Sequence, residues 1–235
     1  MPPGEVRIIA VAGLPEVVAG DDVGAQIADS ADAQGTPIEP GDVVVIAHKI
    51  VSKAEGRLAD AVTREDARAL ARREAKRVVR ESSEHLITET QHGLVCANSG
   101  VDLSNAPDGK AVLLPRDPDA SARRIGQTLV ARARGPVAVI VSDTFGRAWR
   151  IGQINVAIGS WGIEAVRDHR GDTDPEGREM AITQVAHIDE LASAAELVQG
   201  KIERVPVAIV RGYAWEPAEG RASDLVRPPS QDLFR

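Results

Sequence analysis

The placement of the aromatic residues restricts the fold of this chain more than any other feature of its sequence. All six lie after residue 144, in a chain of 235 residues. They are Phe145, Trp149, Trp161, Tyr213, Trp215 and Phe234. The first 144 residues must therefore build their core from valine, isoleucine, leucine and alanine. Branched aliphatic residues favour strands and alanine favours helices, so we expect strands interleaved with alanine-rich helices rather than an aromatic-packed β-sandwich.

Short runs of branched apolar residues, bounded by turn residues, predict the strands. These runs span residues 6–11, 42–47, 94–96, 111–114, 137–142, 156–158 and 205–210. Apolar residues at helical spacing predict helices over residues 24–31, 64–81, 120–132 and 189–198. The two kinds of element follow no regular β-α-β rhythm, which favours an α+β fold of mixed β-sheets with flanking helices over a doubly wound sheet. The polar residues 168–180 predict a long loop.

Composition and charge argue against several classes of protein. The formal net charge is −7, which gives no overall attraction to nucleic acid or to an anionic membrane. No apolar run approaches the roughly 18 residues of a membrane-spanning helix, and the N-terminal segment lacks the pattern of a secretory signal. The single cysteine, Cys96, rules out an internal disulfide and suits a reducing compartment. We therefore expect a cytoplasmic protein that binds neither membrane nor nucleic acid.

One segment runs against this acidic balance. Residues 64–81 carry seven basic residues against four acidic ones. A basic helix that binds nucleic acid is one interpretation of this pattern. The interpretation that we favour is a solvated helix face, because no aromatic residue is interleaved to stack on bases. A non-catalytic nucleic-acid-binding module stays open as an alternative function.

The segment VSDTFGRAWRIGQ places an acid, a hydroxyl and two guanidinium groups where an apolar strand is predicted to end. Asp143 and Thr144 follow the apolar run directly, and Asp102 follows another short strand in the segment SGVDLSN. Two strand-end carboxylates that meet across a cleft, together with the hydroxyl, would suit Mg²⁺ or Mn²⁺. The alternative interpretation is that both acids only terminate their strands as turn or cap residues.

Basic side chains near these acids suggest a phosphate site. Arg147 and Arg150 are candidates to clamp phosphate or carboxylate oxygens in bidentate fashion. The segment GDVVVIAHKIVSKAEGR delivers His48 and Lys53 after a predicted strand, where a lysine can neutralise a phosphate as a point charge. Taken singly, each of these residues is more often a surface residue. The chain contains neither a Walker A motif nor a G-x-G-x-x-G motif after a strand, so a bound nucleotide would be held by another arrangement.

Seven segments carry a resemblance to a known family when they are taken in order. They are AGLPEVVAGDD (12–22), GDVVVIAHKIVSKAEGR (41–57), GLVCANSGVDLSN (93–105), LLPRDPDASARRI (113–125), VSDTFGRAWRIGQINVAIGSWGI (141–163), ASAAELVQGK (192–201) and PVAIVRGY (206–213). With the closing DLFR, they extend the likeness over essentially the whole chain, and several long motifs in order are far more specific than any one of them. The chain resembles the coenzyme F420:L-glutamate ligases, also called the F420-0:γ-glutamyl ligases.

The resemblance implies a GTP-dependent ligase of coenzyme F420 biosynthesis. Such an enzyme couples the conversion of GTP to GDP and phosphate with amide formation through an acyl phosphate. The first L-glutamate joins the terminal lactyl carboxylate of coenzyme F420-0, and later glutamates join F420-1 through γ-linkages. The resemblance also implies two Mg²⁺ or Mn²⁺ ions, with K⁺ as a further candidate, and a two-part α+β subunit that pairs into a homodimer.

The same resemblance implies roles for individual residues. Two metal ions are implied beside Asp102, Asp143 and the hydroxyl of Thr144, with Glu196 as a further ligand. The implied GTP contacts are Leu14, Pro15, Glu16, Val17, His48, Lys53 and Asn105. The predicted catalytic residues are Asp102, Asp143, Arg147 and Arg150. The two arginines are included because of their residue type and position, not because of the resemblance.

The domain prediction is a single glutamyl ligase domain over residues 1–235, with room for two α+β subdomains. Some relatives carry a further nitroreductase-like domain after the ligase, and we expect none in this chain. One more alternative function stays open. It is another divalent-metal-dependent, nucleotide-using amide ligase or phosphotransferase on the same scaffold, acting on a different acid.

Overall fold

The computed structural model describes residues 4–232, and within them it contains twelve strands and five α-helices. The strands are β1 (Arg7–Val11), β2 (Val43–Ala47), β3 (Leu58–Asp60), β4 (Ala75–Glu81), β5 (Leu86–Thr90), β6 (Val95–Ala97), β7 (Lys110–Val112), β8 (Ala138–Arg147), β9 (Arg150–Trp161), β10 (Arg167–Asp168), β11 (Gln184–Val185) and β12 (Val207–Arg211). The helices are α1 (Val23–Ala33), α2 (His48–Ala54), α3 (Arg64–Glu74), α4 (Pro118–Ala133) and α5 (His187–Gln199). Several sheets with flanking helices confirm the predicted α+β class.

The central sheet has five strands in the order β1-β12-β2-β8-β9. Only the β2–β8 pair is parallel, and the other neighbours in this sheet are antiparallel. Because β2 and β8 run side by side in the same direction, the residues that follow their last shared pair lie at one edge of the sheet. That pair is Ala47 and Ser142. His48 and Asp143, which come next, are therefore brought to the same edge.

Both faces of the central sheet are covered by helices. Val44 and Ile46 of β2 belong to the core that packs against α1 and α4, whereas Val43 and Val45 belong to the core beneath α5. Successive side chains of a strand point to opposite faces, so a strand covered on both faces is apolar at every position. This is why continuous apolar runs, rather than alternating ones, mark β2 and β8 in the sequence.

A smaller core lies outside the central sheet. Leu70 and Ala71 of α3 pack there with Leu86 of β5 and with Val101 and Leu113. Around this core, β3 pairs with β7, and β4, β5 and β6 form a separate three-stranded sheet. The assignment of residues 1–235 to a single ligase domain stays a prediction.

The predicted helix over residues 64–81 is wrong in its second half. α3 ends at Glu74, and the remaining residues form β4, which pairs with β5. The charged residues of this segment are good helix formers, but sheet pairing overrides their propensity. Four of its basic side chains form ion pairs with acids: Arg68 and Arg72 with Glu81, and Lys76 and Arg77 with Glu89. The continuous basic helix that a nucleic-acid-binding module would use is therefore not formed.

Other boundaries also differ from the prediction. The sequence pattern does not indicate α2, and β8 and β9 are longer than expected, at 10 and 12 residues. Together they form a long hairpin whose tip lies beyond the core. The polar residues 168–180 form a long loop with short turns, as expected, and the short β10–β11 pair closes its base. These differences matter because α2 and the β8–β9 hairpin carry most of the predicted site.

Candidate functional site

The core ends at Asp143, although β8 continues. Residues 138–142 are buried, whereas residues 143–147 are half-buried or exposed and still pair with β9. The expectation that the strand ends before Asp143 is therefore wrong. The change from apolar to polar residues marks the edge of the core, while antiparallel pairing keeps the backbone hydrogen-bonded beyond it.

His48, the first residue of α2, lies against Asp143. Its Nε2 atom is 3.3 Å from Asp143 Oδ1, in a geometry that falls short of a hydrogen bond, so this nitrogen is buried without a hydrogen-bond partner. Its Nδ1 atom lies 3.3 Å from Ser52 Oγ. Asp143 Oδ1 accepts a 2.7 Å hydrogen bond from the backbone amide of Thr144. Because a buried polar atom without a partner is costly, this corner is suited to a further ligand.

Asp102 contacts the next residue of the same helix, Lys49. Lys49 Nζ is 2.7 Å from Asp102 Oδ2 and donates to the carbonyl and hydroxyl oxygens of Ser104 at 3.1 and 2.6 Å. Burial acts to raise the pKa of Asp102, but hydrogen bonds from Lys49 and Ser104 outweigh it, so the pKa is lowered. The carboxylate is therefore ionised at neutral pH. Because Asp102 and Asp143 contact consecutive residues of α2, both acids lie near the start of this helix.

A second polar cluster joins β8, β9 and α5. Thr144 and Asn155 are opposite each other in the β8–β9 pair, and the Thr144 hydroxyl donates to Asn155 Oδ1 at 2.8 Å. Asn155 Nδ2 donates to Glu196 Oε2 at 2.7 Å. Lys201 Nζ completes the cluster, 2.5 Å from Glu196 Oε1 and 2.8 Å from Thr144 Oγ1. Two of the predicted metal ligands, Thr144 and Glu196, are thus brought together.

The donor groups in these clusters fit a hard divalent cation. Lys49 is surrounded by oxygens of Asp102 and Ser104, and Lys201 by oxygens of Glu196 and its threonine neighbour. Carboxylate, hydroxyl and carbonyl oxygens are the ligands that Mg²⁺ and Mn²⁺ prefer. Within residues 4–232, no three acidic, histidine or cysteine side chains converge in a way that could hold a metal ion. A metal-bound arrangement would therefore require the lysines to withdraw from their carboxylates.

The predicted GTP-binding residues near the N-terminus lie beside α2. Leu14, Pro15, Glu16 and Val17 belong to the segment between β1 and α1, in which Val17 is buried, Leu14 packs on the core, and Pro15 and Glu16 are exposed. Lys53 Nζ, on the last turn of α2, is 2.5 Å from Glu16 Oε1. The structure therefore joins two segments that are 37 residues apart in sequence.

Three predicted site residues take no part in these contacts. Arg147 and Arg150 are paired at the tip of the β8–β9 hairpin, where Arg147 donates to the carbonyl of Ile151 at 2.6 Å. At about 3.4 Å per residue, this tip is roughly 14 Å along the strand from Asp143. Asn105 is exposed in the loop before β7, with a left-handed φ of 55°.

Cys96 lies in β6, close enough to Asp143 for the charge of that carboxylate to affect the pKa of the thiol. Burial, with a smaller contribution from the Asp143 carboxylate, raises the pKa of the Cys96 thiol to about 12. The thiol therefore stays protonated at neutral pH. Since thiolates rather than thiols bind metals and act as nucleophiles, Cys96 is a core residue rather than a reactive one.

The predicted site leaves out four residues that complete the two polar clusters. They are Lys49, Ser104, Asn155 and Lys201. Counting back from the pair Arg147 and Arg150, regular hairpin pairing would place Gln153 opposite Thr144. A register shift after Gly146 places Asn155 there instead. Gly152, at a φ of 91°, lies in this bulge. A glycine inside a strand can indicate a bulge, but it does not tell which side chains the bulge brings opposite each other.

Comparisons with known proteins agree with the resemblance that the motifs indicate. The family model described as F420-0:Gamma-glutamyl ligase matches residues 13–212. The chain is 41% identical to the coenzyme F420:L-glutamate ligase of Methanothermobacter thermautotrophicus, over 98% of this chain and 99% of the relative. It is 44% identical to the protein of the same name from Methanopyrus kandleri, over 98% of both chains. In residues 4–232, no helix combines the length and the apolar character needed to span a bilayer.

Proposed function

This chain belongs to the F420-0:gamma-glutamyl ligase family, and we propose that it is a GTP-dependent ligase of coenzyme F420 biosynthesis. It adds L-glutamate to coenzyme F420-0, and to F420-1 through γ-linkages, and releases GDP and phosphate. The observation that carries the proposal is the near full-length similarity to relatives named coenzyme F420:L-glutamate ligase. The polar clusters around α2 and α5 contain residue types suited to this chemistry.

The proposed reaction activates a carboxylate before the amide forms, because a carboxylate ion is a poor acyl donor. A carboxylate oxygen of F420-0 attacks the γ-phosphorus of GTP, which gives an acyl phosphate and GDP. The amine of L-glutamate then attacks the acyl carbon, loses a proton and expels phosphate. Phosphoryl transfer of this kind depends on positioning and charge neutralisation more than on covalent help from the protein.

Asp102, Asp143, Thr144 and Glu196 are the residues that we propose to hold two Mg²⁺ or Mn²⁺ ions, with K⁺ as a further candidate. Their support is chemical, since they present hard oxygen donors and two of the acids already hold lysine ammonium groups. When bound, such ions neutralise phosphoryl oxygens. The chain itself fixes the donors, Asp143 and Thr144 on a paired strand and Glu196 on a helix that packs against it.

The nucleotide is proposed to lie between α2 and the segment that follows β1. The Lys53 side chain is only 11% exposed, whereas its partner Glu16 is 76% exposed. Lys53 can therefore exchange this carboxylate for a phosphate, which releases Glu16 to contact another part of the nucleotide. The other residues that we propose to contact GTP are Leu14, Pro15, Val17, His48 and Asn105. Backbone groups of the LPEV segment and the amide of Asn105 are suited to a guanine edge, so we propose a preference for GTP over ATP.

We further propose a homodimer whose cleft is built by both copies. The β8–β9 hairpin exposes 75% of Trp149 and 99% of Ile151, and clustered exposed apolar side chains mark interaction surfaces. Arg147 and Arg150 lie on the same hairpin, roughly 14 Å along the strand from Asp143 of their own chain. If the hairpin packs against a second copy, both guanidinium groups would lie near that copy's cleft, where they would bind phosphate or carboxylate oxygens.

One assay tests this proposal directly. The protein is incubated with F420-0, GTP, Mn²⁺ and L-glutamate, and the products are analysed by mass spectrometry. We expect added glutamyl units with one GDP released per unit, no product in the presence of EDTA, and a much lower kcat/KM with ATP. Turnover of GTP only with a different carboxylic acid would identify another ligase or phosphotransferase on this scaffold. No turnover with any acid would refute an enzymatic function.

A further inference from the structure

We infer that Asn155 is a positioning residue, which orients two of the proposed metal ligands toward one cation position. The inference rests on the proposed function, because it concerns the same site. Asn155 lies in β9 and is only 4% exposed. Its side-chain amide contacts Thr144 on one side and Glu196 on the other, and its Oδ1 atom also accepts a long, 3.5 Å contact from Lys201 Nζ. A buried amide that bridges two such groups controls how each presents its remaining lone pairs.

The oxygen and the nitrogen of the Asn155 amide have opposite hydrogen-bonding roles. Oδ1 of Asn155 accepts the hydroxyl proton of Thr144, and Nδ2 donates to Oε2 of Glu196. A reversed amide would set its oxygen against a carboxylate, which can only accept, so the observed orientation is the one that satisfies both neighbours. An aspartate of the same shape could not donate to Glu196, and a leucine could contact neither group by hydrogen bonding.

This arrangement leaves one cation position between the two ligands. The Thr144 hydroxyl has a single proton, and its donation to Asn155 leaves the oxygen lone pairs for another partner. That partner is the Lys201 ammonium, 2.8 Å from Thr144 Oγ1. The second oxygen of Glu196, Oε1, lies 2.5 Å from the same ammonium. The amide thus directs the remaining lone pairs of Thr144 and Glu196 toward the Lys201 ammonium. A divalent ion would take the place of this ammonium.

The backbone of Asn155 offers a matched control. Ser193 Oγ of α5 donates to the carbonyl oxygen of Asn155 at 2.7 Å. This bond ties the same helix to the same strand as the amide does, but it touches neither Thr144 nor Glu196. Its removal therefore reports the effect of loosening the α5–β9 contact without disturbing the orientation of the two ligands.

The first experiment compares Asn155→Leu with Ser193→Ala in the absence of substrates. Binding of Mn²⁺ is measured from the electron paramagnetic resonance signal of the free ion, and melting curves verify the fold. Residues that orient metal ligands typically contribute 10–100-fold to metal affinity, so we expect about that loss for Asn155→Leu and binding within about twofold of wild type for Ser193→Ala. Unchanged binding by folded Asn155→Leu, equal losses in both variants, or no Mn²⁺ binding by the wild type would each overturn the inference.

A second experiment needs no folded variant at position 155. The chain contains three asparagines, Asn98, Asn105 and Asn155, so selective labelling with ¹⁵N-asparagine gives three side-chain amide signals, and Asn98→Ala and Asn105→Ala assign the third by elimination. During a Mg²⁺ titration, the Asn155 signal should shift with the same midpoint as metal binding, while Asn98 stays unchanged. An Asn155 signal that does not move as Mg²⁺ saturates the protein would refute the positioning role.

The outcome for this inference is separable from that for the proposed function. If the wild type ligates glutamate to F420-0 and Asn155→Leu binds Mn²⁺ normally, the function stands and the positioning role fails. If Mn²⁺ binding depends on Asn155 but no acid is ligated, the positioning role stands and the proposed function fails.

Discussion

Asp143 shows how a single residue combines a fixed backbone with an available side chain. It pairs with Val156 across the hairpin, yet its carboxylate is at the point where β8 leaves the core. A group held this rigidly needs little reorganisation when charge develops near it. Electrostatic catalysis depends on such preorganised groups. If Asp143 serves the proposed metal site, this rigid placement would keep its carboxylate at a fixed position, which a mobile loop would not.

Asp143→Asn keeps the shape of the side chain and removes its negative charge. We expect kcat for glutamate ligation to fall about a hundredfold or more, because metal binding weakens and the transferring phosphoryl group loses stabilisation. The measurement is turnover against Mn²⁺ concentration, with a melting curve alongside. Asp102→Asn should behave alike, and the double variant should cost less than the sum if both acids serve one metal cluster.

The competing explanation for Asp143 is a purely structural one. In that case its carboxylate would only accept the hydrogen bond from the Thr144 amide. An asparagine can still accept this bond, so the replacement would cost at most about 1 kcal/mol of stability and leave turnover intact. Near-wild-type turnover at low Mn²⁺ would therefore count decisively against a metal-binding role for this corner.

Lys53 should act mainly on nucleotide binding. Lys53→Ala removes a charge-assisted contact worth about 1.5–3 kcal/mol, so we expect KM for GTP to rise correspondingly with a smaller change in kcat. Lys76→Ala is the control, since Lys76 forms a 3.0 Å ion pair with Glu89 in the three-stranded sheet, which contains none of the proposed GTP contacts. An unchanged KM for GTP in Lys53→Ala, or an equal rise in the control, would assign Lys53 to the solvated surface.

At the scale of elements, the contact between β9 and the start of α4 depends on a missing side chain. A Cβ atom on Gly159 would lie 2.3 Å from the carbonyl oxygen of Pro118 and 2.6 Å from its Cβ. Backbone cannot yield as a flexible side chain does, so Gly159→Ala should destabilise the fold by about 1–3 kcal/mol. Gly146→Ala, in the same hairpin, meets nothing within 4 Å and should leave the melting temperature nearly unchanged. Equal melting temperatures for the two variants would show that α4 can shift to accommodate the methyl group.

Much of this element arrangement can be predicted from sequence, for an identifiable reason. The strands β2 and β8 are covered on both faces, so burial alone specifies a continuous apolar run. α2 is different, because its residues HKIVSKA continue an apolar strand, and Ala47 gives the helix no side-chain cap. Neither a start signal nor a periodicity marks it. The boundary between α3 and β4 is equally hidden, since pairing with β5 decides it rather than local propensity.

In the candidate site, too, some residues can be predicted from the sequence and others cannot. Asp102, Asp143 and Thr144 can be found from sequence because acids and hydroxyls stand out at the ends of apolar runs. Asn155 and Lys201 cannot, because their roles depend on a bulged register and on a residue that follows α5 folding back to β8. Tertiary contacts, rather than residue types, place them in the cluster.

At the scale of the whole molecule, the β8–β9 hairpin is the feature that a lone chain does not explain. Its buried half completes the central sheet, but its outer half exposes large apolar side chains and the predicted catalytic residue Arg150, while Arg147 beside it is half-buried. Exposure of such side chains is costly unless another surface covers them. A second copy of this chain would provide that surface and would also bring the arginines to an active cleft, so oligomeric state and activity should change together.

Ile151→Asp tests this link between assembly and activity. Ile151 is 99% exposed near the hairpin tip, and a buried aspartate at an interface would be strongly disfavoured. We expect sedimentation to show a dimer for the wild type and mainly a monomer for Ile151→Asp, with ligation reduced at least tenfold and the monomer still folded. Ile182→Asp, at a site that is 86% exposed outside the hairpin, should remain dimeric and active. A wild-type monomer with full activity would remove the dimer proposal, whereas an unaffected dimer of Ile151→Asp would remove the hairpin from the interface, because an unpaired charge buried between two copies cannot leave their association unchanged.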